Sequence, residues 1–301
     1  MASLTIRHVT TYRYRQPVAF GEHRMMFRPR DSSDQRVTTA SLAISPEPAS
    51  LDFVQDAFGN HVGVARFSGR AAELRFESIV GVEQSPGADP EVDGDAGNFP
   101  VAYSAEEMPG LAPYIERHHL DPQNEVGRWA CQFLPASGPV GNFELLVRLS
   151  RGIHEKLRYQ RRDAKGVQAP QETLRLHQGS CRDFAMLLIE AARSLGFAAR
   201  FASGYLAIPF DSAEEVMNGS GGSTHAWAQV YLPDTGWIDF DPTSGSTGTA
   251  GLVAVALVRD PYHAIPLHGT FIGDMADHLG MEVQVSVISG APETSNTQEA
   301  G

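Results

Sequence analysis

Three side-chain types in this chain could together carry out nucleophilic acyl chemistry: a cysteine, a histidine and an aspartate, in that order. Cys181 opens the run GSCRDFAMLLIEAARSL at residues 179–195. Phe184, Leu187, Leu188, Ala191 and Leu195 recur at the spacing of a helix with one buried face, with Ser180 as a suitable N-cap and Gly196 as a suitable stop. Cys181 therefore falls in the first turn, on the buried stripe. Unpaired N–H groups and the positive end of the helix dipole gather there, and both favour thiolate over thiol. The same N–H groups could hold an oxyanion. A buried free cysteine with no such role is also common, and the helix alone does not separate the two.

A thiolate nucleophile needs an imidazole, and the imidazole needs a group that orients it. Residues 225–232 alternate, with His225, Trp227, Gln229 and Tyr231 on one side. The turn signal Pro233-Asp234-Thr235-Gly236 follows. A return strand then places Trp237, Asp239 and Asp241 on one side. Cysteine, histidine 44 residues later and an aspartate as far as 16 beyond that form a more specific pattern than a lone cysteine. The hairpin imposes a condition on it. If Leu232 paired with Trp237 across a four-residue loop, Asp241 would stand opposite Ala228 and point away from His225, because side chains alternate between faces. An odd loop or a bulge is required. Gly236 is its expected place, since glycine in the left-handed conformation makes a G1 bulge.

The segments GSCRDFA (179–185), LGFAARFASGYL (195–206), THAWAQVYLPDTGW (224–237) and DFDPTSG (239–245) resemble the transglutaminase-like family, whose core is papain-like. The resemblance implies Cys181 as nucleophile, His225 as its imidazole partner and Asp241, rather than Asp239, as the orienting carboxylate. IRHVTTYRY (6–14), FRPR (27–30) and AFGN (57–60) are similar to the N-terminal β region of bacterial members. ALVRDPYHAIPLHGTFIG (256–273) and MEVQVSV (281–287) are similar to their C-terminal ending. Gln229 stands where many relatives carry glutamate. Tyr159, Gln178, Ser180 and Trp227 are the candidates for the remaining oxyanion and cleft positions.

Other elements must hold these groups in place. Residues 4–14 alternate as a strand, and runs at 24–27, 37–44, 53–57, 62–67 and 74–82 add more in the manner of an antiparallel sandwich or barrel. His8, on the first of these, reads as a structural histidine. The sequence thus predicts an α+β chain. A β-sandwich-like domain covers residues 1–84, a loop and helical connection 85–140, a papain-like transglutaminase core 141–290 and a disordered tail 291–301. In the core, the helix bearing Cys181 is expected to pack on an antiparallel sheet. The helical connection is expected to break at Pro113 and Pro122. The glycine-rich run 218–223 precedes His225 and is either a gate or an ordinary connection. Asp93-Gly94-Asp95 lacks the spaced ligands of a calcium loop.

Composition narrows the function. Acidic residues number 36 against 24 basic, for a formal charge of −12, which argues against a phosphate-tracking nucleic-acid binder. Cys131 and Cys181 are the only cysteines, too few for a disulfide framework and wrongly spaced for zinc. The 11 histidines show no ligand motif such as HExxH. No cofactor and no metal are expected. There is no apolar run of about 18 residues to cross a membrane, and MASLTIRHVTTYRYRQ lacks the apolar core of a signal peptide, so a cytoplasmic setting is expected. The expected function is cysteine-dependent amide chemistry on a peptide or protein substrate through a thioester, ending in transamidation or in hydrolysis. The alternative is a papain-like scaffold that binds without catalysis. Oligomeric state and acyl acceptor are left open.

Overall fold

The computed structural model describes residues 2–85, 97–162, 164–207 and 222–289. The Asp93–Asp95 motif, most of the glycine-rich run and the tail from 290 onward lie outside the described residues. In chain order the elements are strands β1 (Ala2–Met25), β2 (Gln35–Ser45), β3 (Ser50–Gln55), β4 (His61–Arg66) and β5 (Arg70–Gln84); helices α1 (Met108–Ile115), α2 (Glu125–Ala130) and α3 (Asn142–Lys156); β6 (Arg158–Tyr159); α4 (Pro170–Leu176); β7 (Gln178–Gly179); α5 (Cys181–Ser194); β8 (Ala199–Ala207), β9 (Gly222–Leu232), β10 (Gly236–Asp241), β11 (Ser246–Thr247) and β12 (Leu252–Val258); then β13 (Leu267–Ile272) and β14 (His278–Ser289). The chain forms two compact units, one of residues 1–86, 206–224 and 266–301, the other of residues 87–205 and 225–265.

The first unit is an antiparallel sheet in the order β2-β5-β1-β4-β3, with β13 and β14 also paired to β1. β1 is the long central strand. Residues 4–14 of β1 pair with β14, and residues 19–25 with β13. β5 and then β4 run along β1 as well, pairing with its residues 2–19 and 23–25. The registers shift between Arg13 and Val18 and again between Phe20 and His23. This explains why residues 4–14 and 24–27 read as separate strands: the alternation is lost where β1 bulges. Tyr14, Val18, Phe20, Met25, Phe27, Ala65, Leu74 and Phe76 close one buried cluster across these shifts. Each large apolar side chain in it stabilises the fold by about 1.5–3 kcal/mol.

Two expected boundaries move. The expected core runs to residue 290, but β13 and β14 pair with β1, more than 240 residues away in sequence. Conversely, α1 and α2, from the expected connection, pack on α5 in the second unit. α1 also continues through Pro113 to Ile115 instead of breaking there. In so short a helix the proline removes a single internal donor.

α5 is the centre of the second unit, with α1, α2, α3 and α4 all packed on it. Its residues from Asp183 to Arg193 are buried on every side, where the apolar spacing predicts one buried face. The polar side is buried because it is paired. Glu190 meets Arg193 at 2.9 Å and accepts from the backbone N–H groups of His118 (3.2 Å) and His119 (3.4 Å). Arg193 also donates to the Ala199 carbonyl at 2.9 Å. A carboxylate buried here without these partners would be strongly destabilising. A five-stranded sheet in the order β11-β10-β9-β8-β12 completes the unit. Among the described residues, no helix is long and apolar enough to cross a membrane.

Candidate active site

The first turn of α5 is fastened before it presents Cys181. Ser180 has extended backbone and stands at the N-cap. The Asp183 carboxylate reaches back to its N–H and accepts its hydroxyl, both at 2.8 Å. Asp183 also accepts from Arg162 Nε at 2.8 Å and from the Gln168 N–H at 2.7 Å. The Ser180 hydroxyl is therefore buried and engaged, which removes it from the candidate substrate contacts. Cys181 is half-buried, and its backbone N–H belongs to the first-turn donors that a helix cannot satisfy internally. The short β6–β7 pair, Tyr159 against Gly179, lies just before it in the fold, with Gln160 N–H on the Gly179 carbonyl at 2.8 Å.

The hairpin register supplies the other two groups. Gly236 pairs with Leu232, Trp237 with Tyr231 and Asp239 with Gln229. The loop is therefore the odd one that the triad requires, Pro233-Asp234-Thr235, with positive φ at Asp234 (59°) and Gly236 (91°). Those backbone angles are easy for glycine and tolerated by aspartate. His225, Trp227 and Gln229 of β9 then share a face with Asp239 and Asp241 of β10.

His225 Nε2 lies 3.0 Å from Asp241 Oδ2. This leaves Nδ1 as the nitrogen available to Cys181, whose thiol is near enough to help raise the imidazole. Burial disfavours a charged imidazole, but the hydrogen bonds and charges of Asp241 and Cys181 outweigh it and raise His225 to about 9. Burial likewise opposes a charged Asp241, yet His225, Ser244 and Thr243 hold its carboxyl below the usual range. The Ser244 hydroxyl donates to Asp241 at 2.7 Å and the Thr243 N–H at 2.9 Å. The sequence reading missed both donors. The available signal was Asp241-Pro242-Thr243-Ser244, a turn in which an aspartate side chain accepts from the N–H two residues on.

Trp227 is fully buried and lies along the His225 ring, with centroids 6.1 Å apart and planes 21° off parallel. Its single donor, the indole N–H, is taken by Asp239. Trp227 is therefore a wall for the imidazole and not an oxyanion donor. Asp239 also accepts from Gln229 Nε2 at 2.8 Å, and Gln229 Oε1 accepts from Arg200 Nε at 2.8 Å. The amide donates on one side and accepts on the other, which a glutamate carboxylate could not do. Gln178 is tied by its main chain, its carbonyl accepting from Gln168 at 3.1 Å. Among the described residues, no hydrogen bond joins the Gln178 amide to Cys181 or His225. Tyr159 is half exposed, and burial with the nearby Cys181 raises its phenol, which keeps it a donor.

Residues 4–83 match the family model described as the bacterial transglutaminase-like N-terminal region, and residues 136–242 match that of the transglutaminase-like superfamily. Two curated relatives are both described as uncharacterized. ML0607 of Mycobacterium leprae (strain TN) is 35% identical over 113 residues, 37% of this chain and 39% of that protein. YebA of Bacillus subtilis (strain 168) is 35% identical over 77 residues, 24% of this chain and 10% of that protein. The chain thus spans well under half the length of these relatives. Among solved structures, that of a candidate cysteine protease from Cytophaga hutchinsonii superposes with a TM-score of 0.71 at 18% identity, over 98% of this chain and 92% of that one. At that identity the likeness shows the fold, an α+β architecture with a papain-like core. With both of its family segments matched in order along one chain, this protein belongs to the bacterial transglutaminase-like proteins.

Proposed function

We propose that Cys181, His225 and Asp241 act as a catalytic triad that breaks an amide bond in a peptide or protein through a thioester. The observation that carries this reading is the 3.0 Å hydrogen bond between His225 Nε2 and Asp241 Oδ2, with Cys181 near enough to raise the same imidazole. His225 Nδ1 takes the Sγ proton, and the thiolate attacks the amide carbon. A C–S bond forms, and the carbonyl electron pair moves onto oxygen. The Cys181 N–H steadies this oxyanion, with the Tyr159 hydroxyl as second donor. Collapse breaks the C–N bond while the imidazolium protonates the departing amine. Water or a second amine then attacks the thioester as His225 accepts its proton, the adduct collapses with cleavage of the C–S bond, and the departing thiolate takes that proton back from the imidazolium. Asp241 keeps the ring oriented and supports its positive charge throughout. Whether hydrolysis or transamidation follows depends on which acceptor reaches the thioester. The proposed setting is cytoplasmic, where two unpaired thiols stay reduced; cell fractionation checks it.

The test is a fluorogenic amide library read both for amine release and for amine incorporation. Cys181→Ala is expected to lower turnover by roughly 10³-fold or more. Undiminished turnover would overturn the covalent scheme. A binding scaffold makes a different forecast for the two thiols. Cys131 is exposed and Cys181 half-buried, so a scaffold would alkylate faster at Cys131, and an activated triad faster at Cys181.

A further inference from the structure

Trp227 is held at both ends while its face lies along His225. At one end the indole N–H donates to Asp239 Oδ1. At the other, the ring tip Cη2 fills the hollow that Gly204 leaves: a Cβ on Gly204 would stand only 3.1 Å from it. Asp239 is itself held. The same Oδ1 accepts from Gln229 Nε2 at 2.8 Å, and Gln229 Oε1 accepts from Arg200 Nε at 2.8 Å. The Arg200 guanidinium in turn lies 4.0 Å over the Trp237 ring. Trp227, Gln229 and Asp239 are all buried, where each hydrogen bond is stronger than it would be in water. An imidazole needs such support. Rotation about its χ2 has two broad preferred settings instead of three sharp ones. The bond to Asp241 fixes one ring nitrogen and leaves the plane free to rock about it. A flat wall across the ring face removes that freedom, and Trp227 stands 21° from parallel to it.

We propose that Asp239 is a positioning residue for His225: by holding the Trp227 indole N–H it keeps the wall flat against the imidazole, while Gln229 and Arg200 keep the carboxylate on that donor. Asp239 does this as a hydrogen-bond acceptor and not through its charge. Its effect on turnover rests on the triad proposed above, whereas its effect on the ring does not.

The experiment compares Asp239→Leu with Asp239→Asn in the full-length protein carrying isotopically labelled histidine. Asparagine can keep an Oδ1 that accepts from both Trp227 and Gln229, whereas leucine leaves both donors buried and unpaired. The His225 ring signals are assigned by their absence in His225→Gln. The parent and Asp239→Asn are expected to show one set of them, and Asp239→Leu a second or exchange-broadened set. Turnover should follow: kcat falls about 10-fold in Asp239→Leu and less than about 3-fold in Asp239→Asn, with KM within about 2-fold of the parent. Trp227→Phe keeps an aromatic wall and deletes the donor. In that background Asp239→Leu should change kcat by less than about 2-fold, because the bond it removes is already gone. Should Asp239→Leu not fold, Trp227→Phe alone serves, with the same doubled or broadened ring signals expected. Unaltered ring signals in the folded variant, losses that multiply in the double variant, or a loss in Asp239→Asn equal to that in Asp239→Leu would each overturn the positioning role. The ring signals need no substrate, so failure of the covalent scheme and failure of the positioning role are told apart.

Discussion

His8 in the N-terminal sheet and His225 in the β9–β10 hairpin are both buried on strands, yet their environments drive them in opposite directions. His8 packs on Phe27, with ring centroids 4.4 Å apart, and meets the Thr10 hydroxyl at 3.0 Å. Burial pushes it down to about 4. His225 is buried to a similar degree, but Asp241 and Cys181 outweigh the same penalty and bring it to about 9. Burial alone makes a histidine a neutral packing element. Burial beside a carboxylate and a thiol holds it charged at neutral pH.

The comparison breaks first at Asp241. Asp241→Asn should lower turnover roughly 10²- to 10⁴-fold. The His225 imidazole midpoint, followed by NMR, should fall from about 9 toward the value burial alone would set. An unmoved midpoint would show that the carboxylate is not what separates the two histidines. In the proposed scheme the imidazolium would protonate the leaving amine, and since it is lost as pH rises through about 9, turnover should decline there.

Asp239, on the same strand face, sharpens the contrast. It holds Trp227 and Gln229 and touches no reacting atom. Asp239→Asn should cost about 1–3 kcal/mol of stability but at most about 10-fold in turnover. A turnover loss matching that of Asp241→Asn would move the orienting role to Asp239.

The last expected effect leaves turnover aside and is on stability at the two ends of the pH scale. Because the folded protein keeps His8 neutral, its contribution is complete above the ordinary value of 6.5 and is lost as pH falls through about 4. That amounts to roughly 3 kcal/mol. His225 runs the other way: its contribution is complete below 6.5 and disappears as pH rises through about 9. Urea midpoints across that range should show His8→Gln flattening the acid side alone. A change confined to the alkaline side would contradict the assignment.

Much of the site was legible because its signals are local. The first-turn cysteine follows from apolar spacing over 14 residues, and the need for an odd loop follows from the two-residue period of a strand. Gly236 and the three-residue loop meet that need. The choices that changed were those in which a neighbouring carboxylate, in the same helix turn or across the hairpin, had already taken the donor. Ser180 and Trp227 looked available until Asp183 and Asp239 were seen to engage their donors.

The sequence by itself determined the order of cysteine, histidine and aspartate, the helix that bears the nucleophile and the parity of the hairpin, because periodicity and turn chemistry act between near neighbours. Tertiary structure alone decided that β13 and β14 join β1 and that the polar side of α5 is buried against the 118–119 backbone. These depend on which distant groups meet once water is excluded. A buried charge is tolerated only where such partners arrive together, and no local pattern records their arrival.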